Sequence, residues 1–415
     1  MNDRAAYANA DARLLPLPDK SVHMIATSPP YWGLRDYGTD GQLGLERVHD
    51  CLAWARGDDP CGACYVCNMR TWAAEMWRVL RNDGVMFLNL GDSYAAQGGT
   101  CWPAPTNIGN KAAGGSHRVN NRPLPGLKPK DLCGIPQRVV LALQADGWYW
   151  RSEIIWHKPN AMPSSVKDRP STDHEYVFLL TKRPRYFWDA EAVKEASAEP
   201  DRTRGDAIGH TQRRLAGRPV DRVAIQTATR NLRTVWTINT QPYSGAHFAT
   251  WPPALVERMV KAGTSERGVC PECGAPWRRV VDKGEAVNAP RNPNDVQPYP
   301  AGNGYNNGTG ATTLHKVRHV ETVEWRPTCG HADAAPVPAI VLDPFAGSGT
   351  TLLVARNLGR VGLGFDLSET YLRENAATRL GHNKLTAWGR GIQDTADYSD
   401  LFRTNGNSNG VTDHE

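Results

Sequence analysis

The chain is predicted to fold as an α/β protein around a largely parallel sheet, interrupted by small metal-binding insertions. Three observations carry that expectation. First, the apolar run 339–342 ends in Asp343, passes the small-residue turn Pro344-Phe345-Ala346-Gly347-Ser348-Gly349, and enters a helical stretch over 350–358. Strand, glycine turn and helix start make a nucleotide-type pocket, because glycine lets a ligand approach the backbone and the first helical amides donate to it. A second strand over 360–365 ends in Asp366, roughly 20 residues past the turn, where an acid accepts hydrogen bonds from ribose hydroxyls. No Gly-Lys-Ser/Thr follows, so the turn is not a triphosphate loop. Second, the mostly apolar run 22–26 closes on Thr27-Ser28-Pro29-Pro30-Tyr31-Trp32. Third, the cysteines gather at ligand spacings, which marks insertions rather than core.

At 415 residues the chain has room for one large domain with insertions or for two to three domains. Its net charge of +5 permits a polyanionic partner without demanding one. No apolar run reaches the roughly 18 residues of a membrane span, and the N-terminus has no signal-peptide core. A cytoplasmic protein of bacterial or phage origin is expected, with no membrane partner. Its nine cysteines then read as thiols or metal ligands rather than disulfides.

The two motifs resemble those of the DNA amino-methyltransferases. Asp343-Pro344-Phe345-Ala346-Gly347-Ser348-Gly349-Thr350-Thr351 is similar to their S-adenosylmethionine motif, and Ser28-Pro29-Pro30-Tyr31 to their catalytic motif. With the catalytic motif ahead of the cofactor motif, the order looks like the family's beta class. The resemblance implies a Rossmann-like, S-adenosylmethionine-dependent methyltransferase sheet with circularly permuted motif order. It implies catalytic roles for Ser28, Pro29, Pro30 and Tyr31, and cofactor contacts from Asp343, Pro344, Phe345, Gly347, Ser348, Gly349 and Asp366.

Taken in order, residues 1–94 form the catalytic half of the core, with a Cys-rich insertion at 45–70. Asp11 either sits near the cofactor, as the resemblance implies, or caps a helix. Arg35, Asp36 and Tyr37 follow the catalytic turn and either shape the base pocket or belong to a surface loop. Cys51, Cys61, Cys64 and Cys67, the last three as C-x2-C-x2-C, suit one tetrahedral ion. Zinc is favoured, with an iron–sulfur cluster or plain buried thiols as alternatives, and His49 as a substitute for Cys51. Residues 69–80 have helical apolar spacing, stopped by Asn82-Asp83-Gly84, and 85–90 is a buried strand leading to Asp92 and Ser93, candidates for lining the pocket.

Residues 95–135 are a flexible basic loop. Its first part, 95–130, holds no acid and carries Lys111, Arg118, Arg122, Lys128 and Lys130, suited to a phosphate backbone. Residues 136–190 hold a helix (137–147) and two strands (148–156 and 175–181) that resemble the family's hairpin behind the target base. For His174 and Glu175 a structural hydrogen-bonded role is expected ahead of acid–base chemistry. Residues 191–235 resemble the target-recognition region; between 201 and 233 eight arginines face three aspartates, and arginine reads guanine edges and grips phosphates.

Residues 236–265 resemble the segment preceding the cofactor strand, with Phe248 and Pro252 near the cofactor and no metal partner beside His247. Residues 266–335 form a zinc-ribbon-like insertion in which Cys270, Cys273, Cys329 and His331 make a Cys3His set. Residues 336–385 are the cofactor-binding half, and 386–415 a polar tail. The expected activity is methyl transfer from S-adenosylmethionine to the exocyclic amine of a base flipped from double-stranded DNA. Ser28 at the head of the motif favours cytosine N4. Adenine N6, an RNA or protein amine, and an inactive zinc-containing nucleic-acid binder are the alternatives. One or two structural zinc ions and a cognate restriction endonuclease complete the expectation; the oligomeric state is open.

Overall fold

A strand covered on both faces is apolar at nearly every position, and Val22–Thr27 and Ile340–Asp343 are of that kind, with His23, Thr27 and Asp343 as the polar exceptions. Val22, Met24, Ile25, Val341 and Leu342 are all inaccessible to solvent. The computed structural model describes residues 4–95, 126–196, 224–226, 229–241, 250–284, 287–288, 315–317, 320–331 and 333–380. Lys111, Arg118, Arg122, the arginines from Arg202 to Arg222, His247, Phe248, most of 284–314 and the tail from 386 lie outside them.

The chain divides into two units, the first comprising residues 1–189, 233–277 and 327–415. Its eight-stranded sheet is built from β1 (Ala5–Asn9), β2 (Val22–Thr27), β3 (Leu80–Leu90), β4 (Tyr149–His157), β5 (His174–Thr181), β6 (Val235–Thr237), β7 (Ile340–Asp343) and β8 (Val361–Asp366). The order across the sheet is β1-β8-β7-β2-β3-β5-β4-β6. All neighbours from β1 to β3 are parallel, β5 is antiparallel to both β3 and β4, and β6 runs parallel to β4. The first and last strands of the unit therefore interleave: Asn9 pairs with Asp366, while Leu342 pairs with Ile25.

Alternate side chains feed two cores. Ile25, Met86 and Leu88 meet α1 (Tyr65–Val79) and α2 (Ile135–Ala145) in one cluster. On α1 the apolar spacing Met69, Trp72, Met76, Val79 is wholly buried, as a 3.6-residue period requires. Met24, Val85 and Phe87 point the other way, toward α3 (Pro253–Gly263), where Gly263 has no room for a Cβ: one would fall 2.7 Å from Val85 Cγ2. The helix α4 (Thr350–Asn357) lies over β8, and Gly362 and Gly364 let Leu352 approach.

One local expectation fails. Asn82-Asp83-Gly84 does not end the helix; α1 stops at Val79, and the triplet lies inside β3. A shift in pairing between Val22 and Met24 absorbs the extra residues. Gly84 belongs there because a Cβ would sit 2.8 Å from the His23 carbonyl oxygen.

The second unit comprises residues 190–232 and 278–326. Within it, His315–Val317 pairs in parallel with Ala224–Gln226 and antiparallel with Val287–Asn288, and Glu195–Ala196 pairs with Thr229–Arg230. The Arg279 guanidinium lies 4.4 Å from the Trp325 ring centroid.

Candidate active site

The carboxyl ends of parallel strands open where connections leave in opposite directions, and ligands bind there. β2 and β7 end side by side in Thr27 and Asp343. Thr27 Oγ1 donates to Asp343 Oδ1 at 2.8 Å, Thr351 Oγ1 to Oδ2 at 2.7 Å, and the Phe345 amide to Oδ1 at 3.2 Å. Asp343 thus ties the turn after Thr27 to the glycine turn. Burial pushes its carboxyl up to about 6, against the pull of these three donors.

The turn after Thr27 is held from several sides. Tyr65 Oη donates to the Pro30 carbonyl at 2.9 Å, and Gly44, at φ +97°, lies so close that a Cβ would fall 2.8 Å from the Tyr31 carbonyl oxygen. Ser28 Oγ donates to Tyr31 Oη at 3.3 Å; Tyr31 Oη in turn reaches Asn89 Oδ1 at 2.8 Å and Glu175 Oε2 at 2.9 Å. Asn89 Nδ2 donates to Glu175 Oε2 and to the Tyr176 carbonyl, which fixes its Oδ1 as acceptor. Lys158 Nζ closes on Glu175 Oε1 and lies 4.3 Å from the Trp156 ring centroid.

On the other side of the cleft, Gly347 and Gly349 take positive φ of 51° and 74°, the region glycine adopts without strain. The Gly347 and Ser368 amides donate to Asp366 Oδ2 and Oδ1 at 3.0 and 2.9 Å. Burial raises the Asp366 pKa. Asn9 Nδ2 donates to the Asp366 and Leu367 carbonyls and seats the strand end. Asp11 is paired with Arg13 through both carboxylate oxygens, and the guanidinium holds its pKa low.

These groups border one cleft of about 1010 Å³. Asp11, Ser28, Pro29, Pro30, Tyr31, Asp343, Pro344, Phe345, Gly347, Ser348 and Asp366 all line it. Gly349 instead caps α4 behind the wall, where a Cβ would meet Ala376 at 3.3 Å. Asp92 lines the cleft too, but its oxygens accept from the Ser93, Gly134 and Ile135 amides. Asn89 and Lys158 are additions that sequence reasoning missed. An Asn inside the apolar run 85–90 was a usable signal; Lys158 gave none.

The cysteine clusters form as spaced in the sequence. In each, one donor atom per residue lies within 4.8 Å of the others: Cys51, Cys61, Cys64, Cys67, and Cys270, Cys273, Cys329, His331. Cys51 Sγ stands 3.6 Å from Cys61 Sγ and 3.5 Å from Cys67 Sγ. A tetrahedral ion with metal–sulfur bonds of about 2.3 Å separates its sulfurs by about 3.8 Å, so the donor set fits. Cys51, and not His49, completes it: His49 is buried with its ring 5.4 Å from that of Trp32. In the second set His331 Nδ1 lies 3.6 Å from Cys270 Sγ, and its Nε2 faces Glu272 at 3.4 Å, the carboxylate contact that orients a ligating imidazole.

A permuted, mostly parallel sheet with a Ser-Pro-Pro-Tyr turn and an acidic glycine turn at the carboxyl ends of two adjacent strands has the fold of an S-adenosylmethionine-dependent methyltransferase. The chain belongs to the DNA methylase family of the N6/N4 type, whose profile matches residues 22–270 and 335–378 and leaves out the stretch between. It is 42% identical over 248 residues to the Type II methyltransferase M.Cfr9I of Citrobacter freundii, covering 60% of this chain and 68% of that one. To M.SmaI of Serratia marcescens it is 41% identical over 246 residues (59% and 69%), and to M.SfiI of Streptomyces fimbriatus 30% over 395 residues (87% and 87%). Among solved structures, the PvuII DNA methyltransferase (cytosine-N4-specific) aligns over 96% of this chain and 91% of its own, at 14% identity and a TM-score of 0.46.

Proposed function

We propose that the protein methylates the N4 amine of a cytosine flipped out of double-stranded DNA, with residues 28–31 as the catalytic turn. What carries this reading is a serine at the head of that turn, its hydroxyl proton directed to Tyr31. An exocyclic amine conjugated with its ring is a weak nucleophile. Ser28 Oγ and the Pro29 carbonyl accept its two hydrogens, draw the nitrogen toward tetrahedral geometry and expose its lone pair. Pro29 and Pro30 stiffen the turn so that these acceptors face the cleft. Tyr31 offers a ring face to the flipped base. S-Adenosylmethionine, when bound, supplies a methyl group on a positively charged sulfur. Asp11, Asp343, Pro344, Phe345, Gly347, Ser348 and Asp366 form its site, Asp366 toward the ribose, with Gly349 shaping the turn from behind.

Both cysteine clusters hold zinc in this reading, in a structural role, because four protein ligands leave no open position. The arginines within 191–235 contact the target, and the Type II relatives support a cognate restriction endonuclease as partner.

The test is expression in a methylation-free host, followed by sequencing that separates N4-methylcytosine from N6-methyladenine. Methylcytosine at a fixed motif is expected. Methyladenine there overturns the choice of base, and unmodified DNA from a protein that binds the donor moves the substrate to RNA. Metal analysis is expected to find two zinc ions per chain; none overturns both zinc sites.

A further inference from the structure

The catalytic turn does not end at Tyr31. Ser28 Oγ donates to Tyr31 Oη, and Tyr31 Oη lies 2.9 Å from a carboxylate oxygen of Glu175, so hydroxyl, phenol and carboxylate form one directed chain. Two neighbours hold the carboxylate in place. Asn89 donates to Oε2 at 3.2 Å, while its own Oδ1, 2.8 Å from the phenol, shares the Tyr31 proton with Glu175. Lys158 neutralises Oε1, and both members of that pair are largely withdrawn from water, at 17 and 21% side-chain exposure. Burial and the Glu175 charge push the Tyr31 phenol well above its ordinary value, so it stays protonated and donates.

We propose that Glu175 is a positioning residue for methyl transfer: the anionic terminus of a Ser28–Tyr31–Glu175 relay that makes the Ser28 oxygen a stronger acceptor and receives the proton the amine sheds. The inference rests on the reading of residues 28–31 as the catalytic turn. In the transfer step the amine lone pair forms the N–C bond while the C–S bond breaks with its pair on sulfur. The nitrogen becomes positive. Its N–H bond then breaks, the pair returning to nitrogen and the proton passing to Ser28 Oγ. The Ser28 proton moves to Tyr31 Oη and the Tyr31 proton to Glu175, which is left as a neutral acid and releases the proton to water when the product leaves. A negative charge at the end of a hydrogen-bond chain, in a site shielded from water, acts where positive charge develops.

The relay predicts a pH signature. Protonating Glu175 in advance removes the anion, so the wild-type rate falls on the acidic side toward that of Glu175→Gln. The charged neighbour is Lys158 at the end of β4, and the titratable one is the neutral Tyr31 after β2. His157 and His174 share Asp173 at the mouth of the hairpin, and Asp92 at the end of β3 accepts from the backbone.

The experiment is single-turnover methyl transfer from labelled donor to unmethylated genomic DNA across pH, with donor and DNA affinities measured alongside. Glu175→Gln is expected to lower the rate by about 10²-fold, the scale of a positioned proton acceptor. Both affinities should stay within about twofold, and the acidic limb should disappear. Glu175→Asp, which keeps the acid, should retain the limb even where Glu175→Gln folds poorly. A Glu175→Gln rate within about threefold of wild type, or a slowed enzyme with the wild-type limb, overturns the relay. Ser28→Ala separates the two readings: a harmless Ser28→Ala removes the catalytic turn itself, whereas a dead Ser28→Ala beside a neutral Glu175→Gln removes only the relay.

Discussion

Tyr31 lies where it does because residue 91 has no side chain. A Cβ there would come within 2.6 Å of the Tyr31 ring, so Gly91→Ala must turn the ring away from Asn89 and Glu175. Turnover of Gly91→Ala is expected to fall at least about tenfold, a loss of roughly 1.4 kcal/mol of transition-state stabilisation, with donor affinity unchanged. Ser28→Ala and Tyr31→Ala should nearly abolish turnover and still bind S-adenosylmethionine in a calorimeter; equal loss of donor binding would show that the pocket is misassigned. Asp343 gives a pH signature of its own. Its folded pKa of about 6 exceeds the ordinary 3.8, so the fold is stabilised by the protonated acid below about 4 and loses that stability as pH rises through about 6. Two units correspond to about 3 kcal/mol. The melting temperature of Asp343→Asn minus that of wild type should therefore climb between pH 4 and 6 and level off above it; a flat difference would refute the shift.

Elements are seated by contacts that few single residues announce. The Cys270–Gly274 knuckle rests on the starts of β2 and β3. His23 Nδ1 accepts from the Ile340 amide, which leaves Nε2–H to donate to the Gly274 carbonyl, and Arg81 donates to the Cys273 carbonyl. Burial holds His23 neutral, its pKa down to about 4. With zinc bound as proposed, a knuckle anchored this way would transmit loss of the ion to the strand that carries Ser28. Cys270→Ser should drop zinc from two ions to one per chain and lower the melting temperature by several degrees; an unchanged melting curve would confine the ion's effect to its own loop. The spacing of these ligands was legible because chelation by neighbouring residues is a local property. The extent of β3 was not. Asn82-Asp83-Gly84 has the composition of a helix stop, yet pairing with β2 draws it into a strand.

At the scale of the molecule, permutation places β1, from the N-terminus, against β8 near the other end of the described chain, and Asn9 holds the carbonyls beside Asp366. The Asp366 end of the cleft, the proposed donor site, is thus supported by a strand from the opposite end of the sequence. Asn9→Ala removes two hydrogen bonds of about 1 kcal/mol each; donor affinity should fall severalfold, and an unchanged affinity would free Asp366 of that support. The family is legible in two short motifs, because a glycine turn and a proline-stiffened turn specify their own backbone over a few consecutive residues. The clustering of the two four-residue sets is legible for the same reason, whereas the choice between Cys51 and His49 was left to the fold. Tertiary structure alone decided that Asp343 binds Thr27 and that Asn89, Lys158 and Glu175 surround the Tyr31 hydroxyl. It also decided that residues 224–226 and 315–317 pair in one unit. Those neighbours are made by pairing between distant strands, whose partners are chosen by burial of whole faces rather than by any residue's own sequence context.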